Sequence, residues 1–134
     1  MRDVDVVGKR ITLHDTKNRL DHVILLSTQA ARIVERNAAD KHANHFLFGV
    51  ADAGKSLATI NEAAGVEGVS AHKLRHTFAS IAAELVSAFA LKRMLNHIAT
   101  GDVTATSYVH VGEAQLRAAW QAVADAIEAA PVDP

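Results

Sequence analysis

The stretch VSAHKLRHTFASIAAEL, Val69 to Leu85, sets a histidine and an arginine about one helical turn apart. Leu74, Phe78, Ile81 and Leu85 recur at helical spacing and form one apolar stripe. At about 100° per residue, His72 and Arg75 fall on a different face, turned away from that stripe. A guanidinium is a planar fork of donors that fits paired anionic oxygens. Further along, His97 stands in MLNHI, and Tyr108, the single tyrosine, stands in TATSYVHV. Taken singly these two have plain readings, a helix-end histidine and a half-buried aromatic with its hydroxyl hydrogen-bonded.

Two other arrangements could carry chemistry. GVADAGKS, Gly49 to Ser56, matches the phosphate-loop pattern of two spaced glycines followed by Lys-Ser, and it precedes a helix. A nucleotide-binding domain also needs a parallel sheet around that loop and a later strand ending in a metal-binding acid. Nothing after Ser56 reads as such a strand, so the segment is expected to be a surface loop, with a nucleotide-binding domain as the alternative. His42 with His45, and His72 with His76, are spaced to share a helical face and could grip a metal ion. Neither pair has a third ligand or a general-base glutamate in its motif, so no metal or other cofactor is expected.

The elements that must hold these side chains can be read from pattern. KRITLHDTKNRLDHVILLS predicts an antiparallel hairpin: Ile11 and Leu13 alternate with polar residues, Thr16-Lys17-Asn18 supplies turn chemistry, and Val23 to Leu26 is a buried run. Ser27 or Thr28 caps a helix to about Ala39, with Ala31, Val34 and Ala38 facing inward. HFLF predicts a short strand or extended piece. A helix from about Leu57 stops at Gly65. Ser70 caps the helix of the opening stretch, and another runs from about Phe89 to His97, packed through Leu91, Met94, Leu95 and Ile98. ATGDVTATS reads as a loop. A final helix from about Gly112 carries Leu116, Trp120, Val123 and Ile127 as an apolar stripe. The expected fold class is α+β, mostly helical, with a small antiparallel sheet near the N-terminus.

Composition bounds the rest. The chain has 134 residues, 49% of them hydrophobic, which suits one globular domain with a real core. No apolar run is long enough to span a membrane, and the charged start MRDVD is not a signal peptide. With no cysteine, disulfides and thiolate metal sites are excluded, in keeping with a cytoplasmic setting. The net charge of −1 argues against a strongly basic nucleic-acid binder. From Gly112 onward, however, there is one basic residue against four acids, which leaves 13 basic and 11 acidic residues in the remainder. The eight histidines can add positive charge beside a polyanion.

The boxes gain meaning in combination. HKLRHTFAS, then LKRMLNHI, then VTATSYVH follow in the order and near the spacing of the tyrosine recombinases, the phage-integrase family. TKNRLDHVILLS resembles the family's hairpin, whose turn carries a catalytic lysine. The resemblance covers nearly the whole chain and implies site-specific recombination of double-stranded DNA, bacterial or phage-encoded. It makes Tyr108 the nucleophile that becomes joined to a 3′ phosphate. Arg75 would neutralise the non-bridging oxygens, His72 and His97 would flank the phosphate as donors or proton carriers, and Lys17 would protonate the leaving 5′ oxygen. Neither metal nor nucleotide is implied, and the partners would be DNA and other protomers of a synaptic assembly.

The sequence also departs from that family. Another essential arginine lies in the family before a segment like RDVDVVGKRITLHD; Arg2, Arg10 and Arg19 fall in strands or turns and do not fill the role. The family's N-terminal DNA-gripping domain has no counterpart here. Asn96 stands where a glycine is usual, and the run from His97 to Tyr108 is slightly longer than common. The expectation is therefore a single catalytic domain over residues 1–134, truncated at its N-terminus and impaired on its own, with a non-catalytic remnant that only folds or associates as a further alternative. Its last helix is expected to dock onto its own domain in dilute solution.

Overall fold

The computed structural model describes residues 2–17, 19–42, 44–49, 52–97 and 111–131. Among these the chain forms three strands and five helices, in keeping with the α+β expectation. Strands β1 (Val4–Asp5), β2 (Arg10–Leu13) and β3 (His22–Leu25) make an antiparallel sheet in the order β1-β2-β3. The register pairs Ile11 with Ile24 and Leu13 with His22, so these four side chains share one face. The expected buried run holds only toward its end: Leu25 is buried and Leu26 partly so, while Val23 is 47% exposed.

The hairpin turn is fastened locally. The Arg19 amide donates to the Thr16 carbonyl at 2.7 Å, and the Thr16 hydroxyl donates to the Leu20 carbonyl at 2.8 Å. Lys17 sits exposed at this tip. Outside the turn, the His14 ring bridges Asp21 at 2.7 Å and Asp3 at 3.3 Å. Those carboxylates, Asp21 foremost, raise the His14 pKa above the ordinary histidine value.

Helix α1 (Thr28–Ala38) is capped by Ser27, whose side chain accepts from the Ala30 amide, and it buries Ala31 and Val34. HFLF is not a strand: Phe46 is 86% exposed, and the Lys41 ammonium donates to the Leu47 carbonyl. Helix α2 (Ala53–Ala64) begins four residues before the expected start, because Asp52 caps it through the Gly54 and Lys55 amides. It ends as expected at Gly65, whose φ of 65° suits a residue without a Cβ. Helix α3 (Ala71–Leu85) is capped by Ser70 as expected. Helix α4 (Ala88–Met94) is capped by Ser87 and stops at Leu95, short of the His97 expected. Helix α5 (Glu113–Ala129) begins where its pattern predicted.

The main core lies where α3, α4 and α5 meet. Ala82, Ala90, Met94, Ala119 and Val123 form its buried centre, and Phe78, Ile81, Leu91, Leu116 and Trp120 pack against it. The α3 stripe is therefore centred on Phe78, Ile81 and Ala82, while Leu74 and Leu85 are each about half exposed. Small alanines at the crossing let the helix backbones approach. The tail helix thus packs within its own chain. Arg117 ties its first turns to the Gly8 carbonyl at 2.8 Å, and Gln121 accepts from the Thr28 amide at 2.8 Å. No helix among the described residues is long and apolar enough to cross a membrane.

Candidate active site

Helix α3 presents Arg75 toward the segment that follows α4. One guanidinium nitrogen donates to the Leu95 carbonyl at 2.6 Å and lies 3.1 Å from Nε2 of His97. Arginine has no lone pair to offer, so in this contact His97 accepts through Nε2 and its ring is turned toward the guanidinium. The short α4 makes this possible. Ending at Met94, it frees Leu95 to His97 to pass beside α3, with Asn96 in the left-handed region at φ 53°. Asparagine tolerates that region better than other residues with a side chain, which is how the chain makes the turn without the usual glycine.

Beside Arg75 an open cleft of about 400 Å³ separates the sheet from α3, α4 and α5. Leu13, Ile24, Phe78, Met94, Leu95 and Trp120 give it an apolar lining, and Thr16, His22, Arg75 and Asn96 supply its polar groups. The Asn96 amide donates to the Thr16 hydroxyl at 3.0 Å, joining the hairpin turn to the segment that carries His97. His22 faces the same space, and its pKa is pushed below the ordinary histidine value: burial first, then the Arg93 and Arg75 cations, lower it, against a hydrogen bond to the Met94 backbone that raises it.

Of the residues singled out in the sequence, Arg75 and His97 are thus in direct contact, and Lys17 follows Thr16, which lines the same cleft. His72 lies one turn from Arg75 on the exposed side of α3, with its Nε2 2.9 Å from that of His76. One proton between the two nitrogens makes that contact a hydrogen bond. Tyr108 and the loop before it lie outside the described residues. The sequence marks Thr16 only as turn chemistry and Trp120 only as part of an apolar stripe, and does not mark His22 itself. Only the alternation that puts His22 on the Ile24 face hints at it.

The competing motifs come apart on the same geometry. The Asp52 carboxylate already occupies the first amides of α2, where a phosphate loop would hold its anion. Half of the expected surface loop, Ala53 to Ser56, is in fact the first turn of that helix. The only sheet among the described residues is antiparallel, so the nucleotide-binding alternative lacks its framework. No group of three or more potential metal ligands gathers among the described residues. Arg10 is paired with Asp5, Arg19 with Asp15, and Arg2 donates to Asn44, so none of the three joins Arg75.

The model of the phage integrase family matches residues 1–115, most of the chain and everything that builds this cleft up to the start of α5. The chain belongs to the phage integrase family. Neither a curated protein nor a solved structure matches it. Phage integrase family membership carries site-specific recombination as the general activity and DNA as the molecule acted upon. The matched region ends inside the first turn of α5, yet the integrase core depends on residues beyond it, Ala119 and Val123.

Proposed function

We propose that this chain cleaves and rejoins DNA strands through a 3′-phosphotyrosine intermediate, with Tyr108 as the nucleophile. The supporting observation is the contact of Arg75 with both the Leu95 carbonyl and His97. It fixes a guanidinium fork beside an imidazole, at the edge of a cleft that the lysine-bearing turn also borders. In this reading the fork takes the non-bridging oxygens of the scissile phosphate and neutralises the charge that builds on them. The Tyr108 oxygen attacks phosphorus and loses its proton to a histidine, His72 or His97. The bond from phosphorus to the 5′ oxygen breaks, and that oxygen takes a proton from Lys17. One phosphodiester replaces another, so the reverse attack by a 5′ hydroxyl restores the DNA.

A nicked suicide substrate, from which the 5′ end diffuses away, tests the proposal. With no second arginine assigned beside the phosphate, adduct should accumulate slowly, by orders of magnitude below a complete site. The adduct should survive denaturant, map to Tyr108 by peptide mass, and vanish in Y108F and R75A. An adduct mapping elsewhere, or one untouched by Y108F, would overturn the assignment. Assembly of several protomers on the DNA belongs to the same proposal, and cross-linking with and without the DNA sites tests it.

A further inference from the structure

We infer that Asn96 is a positioning residue for the proposed reaction, acting through the Lys17 turn; this rests on the reading of Lys17 as the proton donor. The observations meet at one short segment. Leu95 holds Arg75 through its carbonyl, His97 touches the same guanidinium, and Asn96 between them reaches across 80 residues of sequence to the hairpin. Its amide donates to the Thr16 hydroxyl at 3.0 Å, and that hydroxyl donates onward to the Leu20 carbonyl at 2.8 Å. Each bond in such a chain polarises the next; the Asn96–Thr16 bond is partly shielded from water, while the Thr16–Leu20 bond is exposed. The Arg19 amide closes the turn on the Thr16 carbonyl. Lys17 lies inside this loop, immediately after the residue that Asn96 grips.

The backbone explains why the side chain matters. At φ 53°, glycine would be free of the strain an asparagine carries. A glycine there would complete the turn after α4 equally well, but would remove the side-chain bond that joins this segment to the hairpin turn. Asparagine instead combines tolerance of the left-handed region with a donor that spans to the hairpin turn. The catalytic turn and the Arg75–His97 pair are thereby held in one register. Without the latch, the lysine would still be present, but its side chain would wander relative to the leaving oxygen. Small misplacements of a reacting group cost large factors in rate.

The test uses N96G, T16V and the double variant of the whole chain, read in two ways. Amide hydrogen exchange at Arg19 should quicken by about tenfold in each single variant and no further in the double, with the melting temperature of N96G no lower than the parent's. Suicide-substrate cleavage should slow on the order of tenfold or more in the same variants when the leaving atom is the natural 5′ oxygen. With a sulfur in that position, the departing thiolate needs no proton, so parent and variants should cleave alike. Unchanged Arg19 exchange, fully additive variants, or equal slowing of oxygen and sulfur substrates would each overturn the inference. If the parent cleaves neither substrate, the recombination reading fails, and the exchange data alone decide whether the latch exists.

Discussion

Helices α2 and α5 look alike as patterns, yet they are stabilised in opposite ways. Both carry apolar residues at helical spacing, but α2 buries none of its residues and leaves Ile60 58% exposed. Helix α5 buries Val123 completely and Ala119 nearly so, against α3 and α4. What holds α2 is at its ends: the Asp52 carboxylate on two amides, and Gly65 turning the chain back so that its amide meets the Asn61 and Glu62 carbonyls. Asn61 adds a bond to the Val69 carbonyl. One helix is made by capping and the other by packing, so the same kind of substitution should have different reach in each.

The largest effect should come from Val123→Asp. A carboxylate at a fully enclosed position with no partner should cost more than about 4 kcal/mol and abolish cooperative unfolding in urea. Trp120→Ala, which removes an aromatic packed at 5.3 Å centroid separation on Phe78, should cost about 3 kcal/mol. Survival of the native fold in V123D would mean that α5 is dispensable, and the contrast with α2 would collapse.

Asp52→Ala and Gly65→Ala should each cost about 1 kcal/mol, through a lost cap and a strained left-handed residue respectively. The loss should register as faster amide exchange confined to α2, with the α5 amides unmoved. If either change lowers protection in α5 as well, α2 is coupled to the core and the division drawn above is wrong. Ile60→Ser should stay within about 0.5 kcal/mol by the same urea measurement.

The smallest effects set the two histidines that flank the hairpin turn against each other. His14, bridged by Asp21 and Asp3, has a raised pKa, so its contribution is complete below the ordinary value of 6.5 and fades as pH rises through the shifted one. His22 in the cleft has a lowered pKa, so the unfolded chain binds the proton first. Its contribution is complete above 6.5 and fades as pH falls through the shifted value. Imidazole NMR titrations of the two rings should diverge in these directions; H14Q and H22Q should each remove one of the opposing slopes.

Much of this was legible because it is local. Ser27, Ser70 and Gly65 announce helix ends through chemistry spanning three or four residues, and the Thr16 turn between an alternating segment and an apolar run announces the hairpin. Other features depend on partners distant in sequence. Strand β1 is two residues long, too short to show a period. The α3 stripe shifted to Ala82 because α4 and α5 cross there, which no property of α3 alone specifies. In the site, residue types and their order pointed to Arg75, His97 and Lys17. The bonds among Arg75, Leu95, Asn96 and Thr16 join positions 20 and 80 residues apart, and one sequence carries no trace of such pairings. The assignment of Tyr108 rests on sequence resemblance alone.

The enclosure of Val123 and the bonds from Gln121 back to Thr28 and Gln29 also bear on how the molecule is made. Thr28 and Gln121 are 93 residues apart, and at bacterial-to-eukaryotic synthesis rates that interval takes roughly 5–20 s. Until it has elapsed, the faces of α3 and α4 that α5 covers have nothing to close on. Val123 follows Phe78 by 45 residues, so for roughly 2–9 s of that interval the nascent chain has Phe78 uncovered, and Ala82 and Met94 for less; holdase chaperones should bind it then and release it once α5 has emerged.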